Sequence, residues 1–290
     1  MASGTPDNTG DKNLRAEDFD LIVKGFALQE FKMKQLVMES SSSAWIETYF
    51  RENASELVGG TGANVKGIPR LAAFPVGEVT WTKIQSYIEK YGMEGVISYE
   101  DMLTGNIDQM SRTLLRISRA VAYAVDGQIY SVLSAGAGQS ETITGGYEWD
   151  SATIANRDPV QNILNAKRQL YIQNFDPDQN GYLVLNPTDY TNILGNTKVV
   201  NNPTFKAADV VANGVVGQVC GLKILVSNVV TADEALVVIA KECGNWKSAA
   251  GLTTHTIEDK GIKYTIRAYE LGVAQLTTPN AVCKISNTAA

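Results

Sequence analysis

Basic charge, histidine and cysteine are all scarce in this sequence, and each shortage removes a class of function. Lys and Arg number 25 against 31 Asp and Glu, for a formal net charge of -6. A nucleic-acid reader needs a basic stripe to engage phosphates, so that class is disfavoured. One histidine, His255, leaves histidine-rich metal sites and most Ser/His or Cys/His catalytic arrangements resting on a single residue. The three cysteines, Cys220, Cys243 and Cys283, are far apart and form no C-x-x-C pair. They supply neither a disulfide framework nor a thiolate zinc site, and a reducing compartment fits them. Long hydrophobic runs are missing as well, and Met1 to Gly10 carries no basic or apolar leader pattern. The sequence therefore reads as a soluble intracellular protein, or as a particle made of one.

What is present is ordinary material for a large core. The 290 residues, 44% of them apolar and 19% charged, correspond to roughly 12,000 Å² of folded surface against roughly 45,000 Å² unfolded, so no disulfide or metal is needed to hold the chain together. Met1 to Asn13 is small and polar and reads as a loose arm. Leu21, Ile22, Phe26, Phe31 and Leu36 recur at mostly helical spacings and predict a helix over about Ala16 to Glu39, ended by the serine run Ser40 to Ser43. The stretch from Asn53 to Glu78 is crowded with glycine and holds Pro69 and Pro75. Flanked by the strand-like Trp45 to Arg51 and Val79 to Ile88, it predicts a two-stranded excursion with a wide tip, and a loop of that length is usually functional.

The strongest periodicity follows. Leu103, Ile107, Met110, Leu114, Ile117, Val121, Val125, Ile129 and Val132 step by three or four, predicting a helix over Tyr99 to Leu133 with a capping pattern at Ser98 and Asp101. Arg112, Arg116 and Arg119 fall on its other face, read as solvated, and Ala135 to Gly138 stops it. Beyond it the chain alternates: a helix over Pro159 to Phe175, a strand over Tyr182 to Leu185, a short helix after Pro187, and strands at Gly221 to Ser227 and Ala235 to Ala240, near-continuously apolar as if covered on both faces. Thr253 to Ile285 reads as strands again, closing with Ala281 to Ile285.

Sites that invite chemistry have plainer explanations. Asp176-Pro177-Asp178-Gln179-Asn180-Gly181 opens like a calcium loop, but its twelfth position is Pro187 rather than a bidentate Glu, so it reads as a turn. Gly59 to Gly62 and Gly136 to Gly138 lack the Gly-Lys-Ser/Thr continuation of a phosphate loop. His255, among threonines, reads as a surface loop residue, and Glu100 with Asp101 suits a helix start. No catalytic, cofactor-binding or metal-binding residues emerge. Trp45, Phe50, Leu71, Phe74, Val76 and Trp81 sit in or beside the excursion, where a monomer would expose them. That points to an obligate assembly.

The order of these elements resembles the major capsid proteins of tailed bacteriophages and related archaeal viruses, the Hong Kong phage ninety-seven fold. Lys90 to Leu103 resembles the strand leading into that family's spine helix, Ala120 to Leu133 the end of that helix, and Ala135 to Gly138 the small-residue loop after it. Leu183 to Tyr190 resembles the family's strand, proline and helix succession, Gly217 to Ser227 its glycine-marked strand pair, and Thr278 to Ile285 its final strand.

The resemblance implies an α+β subunit with an N-terminal arm (residues 1–43), an extended β-hairpin loop (44–97), a peripheral domain built on the spine helix (98–157 and 241–290) and a mixed α/β axial domain (158–240). It implies a non-enzymatic protein without cofactors that self-assembles, as pentamers and hexamers, into an icosahedral shell around double-stranded DNA. The DNA is enclosed without sequence-specific binding. Portal, scaffold and decoration proteins would be further partners, with no membrane, and assembly would take place in the host cytoplasm. By resemblance alone, Arg51, Lys66, Arg70, Phe74, Trp81 and Lys83 are inter-subunit contacts. Some members join subunits through lysine and asparagine, for which Lys66 or Lys83 with Asn280 would be the nominees; non-covalent interfaces are the default. The rival readings are an encapsulin-type nanocompartment shell and, more remotely, a soluble α/β enzyme using the Asp176 loop or His255.

Overall fold

In the computed structural model the described residues are 23, 31–52, 68–73, 81–100, 107–196, 199 and 218–289. Their longest element is helix α1, Ile107–Gly136, whose 30 residues span about 45 Å at 1.5 Å per residue. Leu114, Ile117, Val121, Val125, Ile129 and Leu133 are buried at spacings of three and four, so the helix lays one continuous stripe on the core. It runs through Ala135 and Gly136, past its expected end at Leu133. Tyr99 and Glu100 are also helical; residues 101–106 lie outside the described set.

α1 packs on a four-stranded sheet, in the order β1 (Met38–Ser41), β10 (Gly244–Asp259), β11 (Lys263–Leu276), β4 (Glu89–Ser98). The β10–β11 pair is antiparallel, with register shifts between Ser248 and Ala250 and between Ala250 and Thr253. β10 starts at Gly244, well before the strand expected from Thr253. The segment Gly244 to Leu252 has few β-formers but carries Trp246. The Trp246 ring is wholly buried against Gly272, where an added Cβ would collide with its Cζ2. Only glycine at that place on β11 lets the ring lie flat on the sheet. His255 therefore sits in a strand rather than a loop, exposed, 3.2 Å from the Tyr269 hydroxyl.

A second, six-stranded mixed sheet runs β5 (Gln139–Thr142), β12 (Val282–Ser286), β9 (Glu234–Ile239), β6 (Gly181–Leu185), β8 (Leu222–Val226), β7 (Gln218–Val219). It draws β5 and β12 from outside residues 158–240, so the chain crosses into this sheet both before and after that segment. β6 and β9 are almost fully buried, whereas on β8 Lys223 is exposed, 5.4 Å from the Tyr182 ring, and Leu225 on the same face is buried. Helix α2 (Pro159–Ile172) packs on β5 and β12 through Pro159, Ile163, Ala166 and Leu170. The Asp176 loop is one helical turn, α3 (Pro177–Asn180), capped by Asp176 accepting from the Asp178 N–H at 3.0 Å. Asp178 is bound to Lys167 and Tyr171. Helix α4 (Pro187–Leu194) follows β6. Cys220 and Gly221, with φ of 52° and 82°, make the tight turn between β7 and β8.

Residues 31–41 join the two sheets to α1. A helix to Glu39 does not form: Val23 is helical and buried, but Met33–Leu36 is a single 3-10 turn and Met38–Ser41 is strand β1, parallel to β10. The reason lies in where the backbone donors go. The Lys32 and Met33 N–H groups donate to the two oxygens of Asp126 on α1, at 2.9 and 3.1 Å. The Lys32 ammonium donates to the Val226 carbonyl at 2.8 Å, reaching the six-stranded sheet. Lys34 pairs at 2.6 Å with Glu270 on β11, which also accepts from the Trp246 indole N–H at 3.1 Å. Leu36 O accepts from Lys241 N at 2.7 Å. This strap uses side chains of Asp126 and Glu270 that are 2% and 1% exposed, so its polar bonds are made in a low-dielectric interior.

Burial pushes the Asp126 carboxyl up to about 6, against the pull of the two N–H donors and of Lys34 and Lys32. Burial likewise raises Asp189 to about 6, opposed by the Thr288 hydroxyl and reinforced by Asp150 and Asp233. A folded-state pKa above the unfolded one means that the folded state binds the proton more tightly. That stability is full below the unfolded carboxyl range and is lost as pH rises through about 6. Depressed carboxylates such as Glu234 keep their contribution down to the ordinary carboxylate range. Unassembled subunits should therefore gain about 1–2 kcal/mol per raised carboxyl between about pH 7.5 and about pH 5 in urea unfolding, and Asp126→Asn should remove its share. Asp126→Ala should cost about 1–3 kcal/mol, since it leaves the buried Met33 N–H and the part-buried Lys32 N–H without their acceptor.

Candidate functional site

The excursion's described strands form a separate two-stranded ribbon, β2 (Ile46–Glu52) antiparallel to β3 (Trp81–Tyr87). Directly paired residues share a face, so Ile46, Thr48 and Phe50 stand with Tyr87, Gln85, Lys83 and Trp81 on one side. Every one of these is exposed, with Ile46 at 51%, Phe50 at 56%, Trp81 at 52% and Tyr87 at 63%. The opposite side carries Glu47, Tyr49 and Arg51 with Ile84 and Ser86, all half-buried. The aromatic side is thus the one turned away from the subunit. An isolated two-stranded ribbon is marginal in water, and one that shows its apolar side to solvent gains nothing from burial.

The inner side ties the ribbon down. Gln275 of β11 donates to the Ser86 hydroxyl at 2.9 Å, Ser42 bonds the Glu47 carboxylate, and Ile88 N donates to Trp45 O at 3.1 Å at the ribbon's base. Arg51 donates to the Gly136 carbonyl at 3.4 Å, where a cation meets the negative end of the α1 dipole. Arg51 is therefore an anchor of the ribbon within its own subunit. Trp81 and Lys83 lie on the outward side of the same ribbon. Arg70 is exposed in the turn closed by Ala72 N to Pro69 O at 3.1 Å, beside the fully exposed Leu71. Lys66, Phe74 and the glycines from Gly59 to Gly62 lie outside the described residues.

Asn280 is 1% exposed and accepts from the Gln139 amide at 3.1 Å. A buried, engaged amide cannot meet a lysine from another subunit, so its nomination as a cross-linking partner does not survive. Among the described residues no group of three or more His, Cys, Asp or Glu side chains is placed to hold a metal ion, and no helix is long and apolar enough to cross a membrane. Burial pushes the Cys243 and Cys283 thiols up to about 12, which makes both poor nucleophiles. Sequence reasoning found the aromatic residues but missed Tyr87, whose place opposite Ile46 depends on register, and it had no signal for the contact between Arg51 and Gly136.

No curated protein sequence matches the chain. Solved structures share its fold: the virus-like particle from Pyrococcus furiosus, at 9% identity and a TM-score of 0.63, covers 93% of this chain and 98% of its own. The capsid of the cyanophage P-SCSP1u, at 14% identity and a TM-score of 0.65, covers 87% and 86%. The mature capsid of bacteriophage PhiM1, at 14% identity and a TM-score of 0.61, covers 89% and 87%. The family model described as phage capsid protein matches residues 82–285, from the second ribbon strand to the final strand of the six-stranded sheet, and the chain belongs to the phage capsid protein family.

Proposed function

We propose that this capsid shell protein is the major capsid protein of a tailed virus, and that its copies close into an icosahedral shell around a double-stranded DNA genome. Pentamers and hexamers would form around the axial segment, 158–240, while the peripheral domain, 98–157 and 241–290, is built on α1 and lends β5 and β12 to the axial sheet. The N-terminal arm (1–43) and the extended loop (44–97) would reach neighbouring copies. The observation that carries the reading is the exposed aromatic side of the β2–β3 ribbon, which a second copy would cover. Portal, scaffold and decoration proteins would be its further partners, and assembly would take place in the host cytoplasm. Trp81 and Lys83, with Arg70 near the tip, would face the neighbour; Lys66 and Phe74 belong to the same proposed contact.

The energetics fit an assembly rather than a dimer. Burying four half-exposed side chains yields on the order of 3–6 kcal/mol gross. That is about the cost of immobilising one partner, so a single ribbon contact would not hold and a closed lattice of many would. The double variant Phe50→Ser with Trp81→Ser should keep the far-UV circular dichroism and urea midpoint of the unassembled subunit while electron micrographs lose closed shells. Deletion of Gly59 to Gly77 should have the same outcome. Normal particles from either variant would sink the lattice role of the ribbon.

A further inference from the structure

Leu71 combines two features that a folded chain avoids. Its side chain is wholly exposed, and its backbone has φ of 65°, a left-handed conformation that glycine adopts freely and other residues resist. Arg70, next to it, is exposed and has no ion-pair partner among the described residues. The turn that carries both is closed by Ala72 N donating to Pro69 O at 3.1 Å. From Leu57 to Gly77 the charged residues are Lys66 and Arg70 alone. The loop between β2 and β3 thus offers an apolar knob beside a cation, held in a conformation that leucine does not favour.

A recess of matching character lies at the base of the ribbon, where Ser42 N donates to Ser248 O at 2.8 Å and the Ser42 hydroxyl bonds Glu47. It encloses about 430 Å³ between Phe31, Glu39, Ser248, Leu252, Thr253 and Glu270. Phe31 and Leu252 supply apolar walls, and an added Cβ at Gly251 would meet nothing within 4 Å, so that side is open. Lys34 also borders the recess, but its ammonium is engaged by Glu270 at 2.6 Å and lies 3.9 Å from the Phe31 ring. Glu39 is exposed and has no ion-pair partner among the described residues. The recess therefore carries an uncompensated negative charge.

We propose that Leu71 of one copy enters this recess on a second copy, and that Arg70 pairs there with Glu39. The leucine side chain leaves water for Phe31 and Leu252, and the guanidinium meets the carboxylate that its own subunit leaves unpaired. Two other recesses suit the turn less. One has Lys90 and Arg267 in its lining, which repel Arg70, and one is lined by the amides of Asn156, Gln161, Asn162 and Asn165. The pairing from Ile46 with Tyr87 to Glu52 with Trp81 puts the far end of the ribbon about 20 Å from its base, so the turn serves another copy's recess rather than its own. Each copy gives a knob and takes one, a head-to-tail contact that continues from copy to copy. This assignment rests on the proposed shell function and adds a contact distinct from the aromatic side of the ribbon.

The test follows assembly of the full-length chain by sedimentation velocity and electron microscopy. R70E and E39R should each raise the subunit concentration needed for particles by about tenfold or more. The double variant R70E/E39R restores opposite charges across the contact and should return that concentration to within about threefold of wild type. L71G relieves the backbone while removing the knob, so the urea midpoint of the unassembled subunit should hold or rise while assembly weakens by about tenfold. A merely structural Leu71 would leave assembly intact in that variant. Circular dichroism of the unassembled subunits should be the same in all four variants. Particles from L71G at the wild-type concentration, or no recovery in the double variant, would overturn the proposal and leave the shell reading standing. A wild-type chain that never assembles would overturn both.

Discussion

The two hydrogen bonds from Lys32 and Met33 to Asp126 fasten residues 31–41 to α1, whose buried stripe lies in the core shared with both sheets. Helix α1 lies against the four-stranded sheet, the six-stranded sheet lies beyond it, and residues 31–41 touch all three. Asp126 supplies acceptors for both backbone N–H groups at once. The cost is a carboxylate removed from water, visible as its raised pKa, and that cost is offset because the bonds it makes are themselves screened from solvent. The indole of Trp246, the Glu270 carboxylate and Lys34 repeat the same device one sheet away.

A subunit so braced is densely packed where α1 and the sheets meet and sparsely tied where the ribbon leaves them. The ribbon has two sides and one core to bury them in. Its inner side is used by Gln275, Gly136 and Ser42, and its outer aromatic side is left exposed. In the proposed shell another copy would supply the missing surface, through a contact that would be weak singly and would add up over a closed lattice.

Much of this was legible in the sequence, for reasons that differ by element. The period of Leu114, Ile117, Val121, Val125, Ile129 and Leu133 announced α1 because a long helix on a flat sheet must bury one stripe. The ribbon strands were legible through their β-branched and aromatic residues, and β8 through its apolar run, while the β7–β8 pair was expected only from the family resemblance of Gly217 to Ser227. The start of β10, from Gly244 to Leu252, was not, since its strand character comes from pairing with β11 around Trp246 and Gly272 rather than from its own residues. The helix expected to Glu39 failed because Asp126, 93 residues beyond Met33 in sequence, captures its donors. No local pattern carries such a contact. The buried state of Asn280 was hidden for the same reason, and with it the exclusion of one cross-linking nominee.

The most direct test is an electron cryomicroscopy reconstruction of the particles formed by the full-length chain. Closed shells are expected, in which the side chains of Phe50 and Trp81 lie within van der Waals contact, about 4 Å, of a neighbouring copy. Shells in which that side of the ribbon faces solvent would contradict the lattice role of the ribbon, as would a chain that stays monomeric at every concentration with or without co-expressed viral proteins.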